Sequence, residues 1–514
     1  MIELRKSNYE NIFIVLVTLL CLFTNIVFIG CTFDWVNKIA IIFAILALPI
    51  LFKNILLKTD ETFSDNINTT GVILSFIALL SFIFNGFIYP VQNIYAVIAL
   101  AINFLVIYFY ASKEDVKSVR NIFWVIFIGS LIISVLSLFT LYFKVSIPYE
   151  TAVPGKLRYI GIDADYQRFC GLVGNPNNLA RITLSGIISS ILLYKKSLKK
   201  IYKIIIGISN IVFIYTMMLS QSRAVIYSIC FGFIVFIFLE IIFRYKGNTK
   251  YKNFIKPIFI FVFCSFVFLL AFKLLNNYSI NNVIYHQNSE EVAQETNISE
   301  EMSQQEDDKD NIKLVDRKFH DQELNNFSTG RFGIWKIGIE GTLNEKPFWG
   351  FTHGNVEQGL IDYIDNNEID VLVIVKNVLF HMHNQFIQFL AEDGIFALFF
   401  IVYLYFYIFK LVIKIIFSKY NINEVNKVRI PILISMLSCL ALYSMVEAMF
   451  FICFDNEIIN VVLLLVMGIF IKTVKDEYGE EILRDKLLDK ISLCLIKLIN
   501  FIKKPFTKYL VKEG

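Results

Sequence analysis

Twelve runs of about 20 mostly apolar residues punctuate this chain, and no other feature constrains its fold as tightly. At a rise of 1.5 Å per residue, a helix of about 20 residues crosses the hydrocarbon core of a bilayer. The runs fall at 12–30, 37–57, 70–89, 91–111, 119–143, 177–194, 201–220, 223–243, 254–275, 385–416, 430–453 and 456–474. Of the 514 residues 56% are hydrophobic and 18% are charged, against about 25% charged in an ordinary soluble chain. No aqueous core could hide so much apolar surface. The expectation is an all-α polytopic membrane protein with about 12 transmembrane helices. No small-residue cleavage site follows the first run, so it reads as a retained helix and not as a signal peptide.

Lysine and arginine alternate between the connections. If the segment holding Arg5 and Lys6 is inside, the inward connections carry Lys53 and Lys58, then Lys113, Lys117 and Arg120, then Lys195 to Lys203. Further on come Arg244 to Lys256 and Lys410 to Arg429, while the short outward connections Asn85 to Gln92 and Phe454 to Glu457 have neither residue. The positive-inside rule then puts both termini in the cytoplasm of a cytoplasmic (inner) membrane protein.

Residues 1–275 would thus hold helices one to nine, 276–384 a large extracytoplasmic loop, 385–474 helices ten to twelve, and 475–514 a cytoplasmic amphipathic tail. The large loop has 19 Asp/Glu against 8 Lys/Arg, a net charge of −11, so the remainder carries +15 within the overall +4. That asymmetry follows from topology and offers no argument for nucleic acid. Within the loop, residues 287–310 are acidic and lack apolar periodicity, which predicts a disordered insertion. Residues 325–343 space Phe332, Trp335 and Ile339 as a helix lying on the membrane surface would. Eight cysteines with no CxxC pair and five histidines with no HExxH spacing give no disulfide framework, no metal site and no cofactor.

Polar residues are costly at membrane depth, so those near one face mark candidate chemistry. Arg168, Asn175, Asn177, Asn178 and Arg181 lie where the first long outer loop enters helix six, and Arg223 lies in SQSR between helices seven and eight. Arg331 follows in STGR, His381, His383 and Asn384 lie in HMHNQF, and Glu447 sits inside the eleventh run. Singly, each has a plainer use: Asn-Pro-Asn starts a helix, and an arginine at a helix end anchors at headgroups. Together, guanidinium forks suit phosphate oxygens, an imidazole can take a hydroxyl proton, and an intramembrane carboxylate needs a cationic partner. A phosphate-bearing donor outside the cytoplasm would have to be a lipid.

The order GLVGNPNNLA, SQSRA, STGRFGIW with GTLNEKPFWGF, then HNQFIQFLAEDGIFALFF resembles the O-antigen ligase and polysaccharide polymerase superfamily over roughly residues 165 to 453. The resemblance implies a membrane-embedded (GT-C-like) glycosyltransferase, working without metal. Its donor would be an undecaprenyl-diphosphate-linked glycan and its acceptor a sugar hydroxyl at the outer face, with flippase and chain-length regulator proteins as partners. It assigns Arg223 and Arg331 to the diphosphate and His383 to catalysis, leaving Arg168, Asn177, Arg181, His381, Asn384 and Glu447 in support. A flippase or transporter of lipid-linked oligosaccharide is the competing expectation, though no internal repeat favours it.

Overall fold

The computed structural model describes residues 2–27, 35–114, 116–150, 157–163, 168–194, 198–245, 331–369, 379, 381–418, 423–447 and 458–510. The ninth expected span, 254–275, lies outside these residues, as does the acidic stretch 287–310. The chain is mostly helical. Its helices are α1 (Ile2–Thr24), α2 (Trp35–Phe52), α3 (Thr59–Phe63), α4 (Asn66–Phe84), α5 (Pro90–Lys113) and α6 (Val116–Tyr142). After three short strands come α7 (Pro176–Leu193), α8 (Lys200–Ser220), α9 (Arg223–Tyr245), α10 (Arg331–Glu345), α11 (Val356–Asn366), α12 (Gln385–Phe417), α13 (Glu424–Ser444), α14 (Ile458–Tyr478) and α15 (Lys486–Leu510).

Eight of these are long and apolar enough to cross a membrane: α4, α5, α6, α8, α9, α12, α13 and α14. The runs at 12–30 and 37–57 give shorter apolar helices, Tyr9–Thr24 and Ile41–Leu57. The run at 177–194 is α7, whose apolarity is diluted by Arg181, Thr183, Ser185, Ser189 and Ser190, all buried against its neighbours. At the centre stands α14, with 89% of its apolar window inside the protein, as expected of a helix that is hydrophobic on every side. Gly468 lets it close on α5, since a Cβ there would lie 2.6 Å from that of Ala111.

The all-α expectation needs one addition. The loop before α7 forms an antiparallel sheet in the order β1 (Ser146–Glu150), β2 (Leu157–Asp163) and β3 (Arg168–Gly171). Its ladder is irregular between Gly161 and Ile162, where Gly161 (φ +92°) packs onto the Val145 carbonyl.

The turns at 84–90, 220–223 and 444–447 and the segments 142–150, 157–163, 168–176, 331–369 and 381–384 gather at one end of the bundle. The connection at 52–66 and the described residues 108–114 and 198–200, together with the tail, gather at the other. At the first end α12 is broken at Gly394 (φ +80°, ψ −170°), and the segment Pro347–Gly354 enters the break. Phe351 and Thr352 donate their N–H groups to the Ala391 and Glu392 carbonyls at 2.8 Å, and Ile395 N–H donates to Pro347 at 2.9 Å. Asn85 and Asn93 hold the carbonyls of Gly350 (3.1 Å) and His353 (3.0 Å). Irregular backbone is tolerated there because its polar groups are paired. A small separate core, with Ile334, Ile337, Phe351, Leu360, Ile364 and Met382, joins α10 and α11 to this segment.

Candidate functional site

Four segments meet on one carboxylate. α7 begins with Asn175, whose side chain accepts from Asn177 N–H, and Pro176 in its first turn, which is the capping pattern its sequence predicts. Just over a turn later Arg181 is buried and points its guanidinium at the end of α13, where Nε bonds Tyr443 Oη and Nη2 donates to Glu447 Oε2 at 3.1 Å. α13 ends at Ser444, so Glu447 lies in the turn beyond it and not within a continuous span as the apolar run 430–453 suggested. Its N–H still bonds the Tyr443 carbonyl (2.9 Å), and its side chain is only 1% exposed.

Arg331, the first residue of α10, reaches the same turn. Its Nη2 donates to Glu447 Oε1 at 2.6 Å and its Nη1 to the Val446 carbonyl at 2.5 Å. His383 supplies the third contact to the carboxylate, Nδ1 to Glu447 Oε2 at 2.9 Å. Its backbone is left-handed (φ 49°), an uncommon state for a residue with a side chain. The turn is held by the His383 N–H bonding His381 Nδ1 (3.1 Å) and by Asn384, which caps α12 through Phe386 N–H (2.9 Å) and donates to the Met445 carbonyl (2.8 Å). Trp335 bonds the Met382 carbonyl (2.7 Å) and Gln388 accepts the Met382 N–H (2.7 Å), so α10 and α12 both fix this turn.

Charge explains the arrangement. Burial pushes the Glu447 carboxyl up, but the imidazole of His383 and the two guanidiniums outweigh it and hold the group well below the usual carboxylate range. Burial, reinforced by the neighbouring His383 and the guanidiniums, pushes the His381 imidazole down to about 3, so it stays neutral and serves as an acceptor. Two guanidiniums on one carboxylate leave a net +1 with His383 neutral. The ionised Glu447 favours a proton on His383 Nδ1, which leaves Nε2 with its lone pair. Nε2 makes no hydrogen bond among the described residues, and the His383 side chain is 30% exposed.

The other sequence candidates are placed differently. Arg168 is spent on structure: Nε and Nη2 donate to the Ser220 carbonyl (3.2 and 3.0 Å), and Nη2 to Asn177 Oδ1 (3.2 Å), tying β3 to the ends of α7 and α8. Arg223 opens α9, is exposed, and makes no hydrogen bond or ion pair among the described residues. It does not join Arg331 on Glu447; Arg181 does. α9 packs on α13 with Gly232 against Ser435 and Cys439, and Arg223 and Glu447 stand nine and eight residues from Gly232 and Cys439, similar distances from that contact toward the same end of the bundle.

Among the described residues, two groups of side chains have metal-ligating donors. His381, His383 and Glu447 offer ligand atoms within 4.8 Å of one another, but two guanidiniums on Glu447 oppose a cation there. The second group, His353, Glu392 and Asp393, has no such opposition, and the sequence reading missed it. Its only signal was Glu-Asp inside an apolar run, with a histidine 39 residues away.

Eight helices of membrane length and a cation-rich site at one end make this a polytopic helical membrane protein with a candidate site for an anion. Residues 208–402 match the family model described as O-antigen ligase, so the superfamily indicated by the motifs is supported on this stretch. No curated protein matches the chain.

Proposed function

We propose that the chain elongates a surface polysaccharide (capsule, exopolysaccharide or O-antigen) by joining undecaprenyl-diphosphate-linked glycans at the outer face of the cytoplasmic membrane, with both termini inside. The observation that carries this reading is the single buried carboxylate holding two guanidiniums and an imidazole. The excess positive charge of Arg181 and Arg331, with exposed Arg223 toward the same end of the bundle, suits a diphosphate in a poorly screened site. Glu447 orients His383 as a carboxylate orients the base of a hydrolase triad. His383 Nε2 accepts the proton of the acceptor hydroxyl as its oxygen attacks the anomeric carbon. The bond from that carbon to the diphosphate breaks with its electrons on the leaving oxygen, where the arginines stabilise the charge.

Polymerisation needs a second lipid diphosphate near the first. Among the described residues, Arg158 and Arg223 are cations of this region that make no side-chain hydrogen bond or ion pair, whereas Arg168 and Arg181 are engaged in the contacts above. Purified protein supplied only with a lipid-diphosphate-linked repeat is expected to produce a ladder of longer lipid-linked chains. Transfer of one glycan to a distinct glycolipid or protein, with no ladder, would make it a ligase. Movement of the lipid across vesicles without a new glycosidic bond would establish the transporter reading instead.

A further inference from the structure

His353, Glu392 and Asp393 form a second ionisable cluster, buried at 2%, 3% and 0% exposure. His353 Nδ1 lies 3.2 Å from Glu392 Oε2, and His353 Nε2 lies 3.3 Å from Asp393 Oδ2. Gln388 donates to Glu392 Oε1 at 3.0 Å. Neither oxygen of Asp393 accepts a hydrogen bond among the described residues, and no lysine or arginine there pairs with either carboxylate. Two adjacent buried carboxylates facing one imidazole leave a net −2 with the ring neutral and −1 with it charged. Buried charge persists where it is paired or coordinated to a metal.

The geometry points to a structural divalent cation of the zinc class held by His353, Glu392 and Asp393. One ligand atom from each residue lies within 4.8 Å of the other two. Bonds of about 2.0–2.1 Å in a tetrahedron separate ligand atoms by about 3.3 Å, close to the contact between His353 and Glu392. One nitrogen and two oxygen donors suit Zn²⁺ or Mn²⁺, and a dication would bring the cluster to neutrality with the ring uncharged. The backbone presets the site: the Thr352 N–H bond to the Glu392 carbonyl and the break at Gly394 bring the histidine segment against the two acidic residues. The ion would staple that segment to α12, apart from the chemistry at Glu447. With the ligands so deeply buried, it would be taken up during folding.

The test is elemental analysis of the full-length protein, purified in detergent without chelator from cells supplied with zinc, manganese and iron. One equivalent of a divalent metal per chain is expected. It should persist in His383→Ala and fall at least fivefold in His353→Ala or in the milder Asp393→Asn. X-ray absorption of the wild type should show nitrogen and oxygen neighbours without sulfur. Metal-free wild-type protein overturns the inference, as does metal lost from His383→Ala but retained in His353→Ala. A protonated-carboxyl infrared band that vanishes in Asp393→Asn would also overturn it, because a shared proton would then supply the compensation. None of these readings depends on transferase activity.

Discussion

The two ends of the bundle each bury carboxylates, but Glu447 is satisfied in the opposite way from the acids at the far end. Away from the Glu447 site, Asp65 caps α4 through Ile67 N–H (2.9 Å) and accepts the Tyr108 hydroxyl (2.8 Å). Asp485 caps α15 through Leu487 N–H (3.1 Å) and takes Lys410 Nζ (2.8 Å) and Tyr403 Oη (2.7 Å). These acids are spent on helix ends and on the docked tail, with at most one cation each. Among the described residues Glu447 caps no helix, and it gathers two guanidiniums and an imidazole. Burial pushes the Asp65 carboxyl up, and its partners only partly offset this, whereas the cations at Glu447 win. The contrast teaches that the ratio of cations to carboxylate, and not burial, separates a site built to receive an anion from one built to hold the fold.

The strongest test of that contrast exchanges one acid at each end for its amide. Glu447→Gln should abolish measurable transfer, a loss of at least 10³-fold from losing base orientation and arginine placement together. It should also destabilise the protein by about 3–5 kcal/mol, since two buried guanidiniums lose their counter-charge. Asp485→Asn should cost about 1–3 kcal/mol in melting while leaving turnover per folded molecule unchanged. Equal loss of turnover in both variants would erase the distinction.

A narrower effect should separate His383 from Arg223 by kinetic constant. His383→Ala is expected to lower kcat about 10²–10⁴-fold with little change in donor binding. Arg223→Ala should instead weaken donor binding, with Arg223→Lys recovering only part because the planar fork is lost. Steady-state kinetics with lipid-linked donor reads both. If His381→Ala silences turnover in a folded protein and His383→Ala spares it, the base has been assigned to the wrong ring.

The smallest effect is the pH dependence of stability. His381 has its folded pKa far below the ordinary 6.5, so below that pH the unfolded chain binds a proton that the fold refuses. Stability should fall as pH drops from 6.5, by at most about 1.4 kcal/mol per pH unit from this group. The depressed Glu447 carboxyl adds loss of the same sign at lower pH, as it takes up a proton. Asp65, raised, contributes in the opposite direction. Melting curves in detergent from pH 7.5 to 4.5 should show the early decline in wild type and its absence in His381→Asn.

The site was legible in outline because intramembrane and interfacial charges are rare enough to notice. Arg331, His383 and Glu447 stood out together on that ground, and the Asn-Pro start of α7 foretold its cap. The same logic gave Arg223 and Arg181 similar standing. It could not tell that Arg181 would meet Glu447, or that Arg168 would be committed to the Ser220 carbonyl.

By itself the sequence determined the local and the periodic: where helices of membrane length can form, where they start, and which residue types crowd toward one end. Bilayer thickness, capping chemistry and charge alternation act on neighbours along the chain, so each can be read from a short window. The tertiary structure alone decided which helix faces which, how far α13 runs, and that His353 closes on Glu392 and Asp393 across the break at Gly394. Those outcomes depend on the rotation and depth of one helix relative to another, which packing fixes. Periodicity names the buried face of a helix, but the neighbour that will meet it is chosen only when the whole bundle closes.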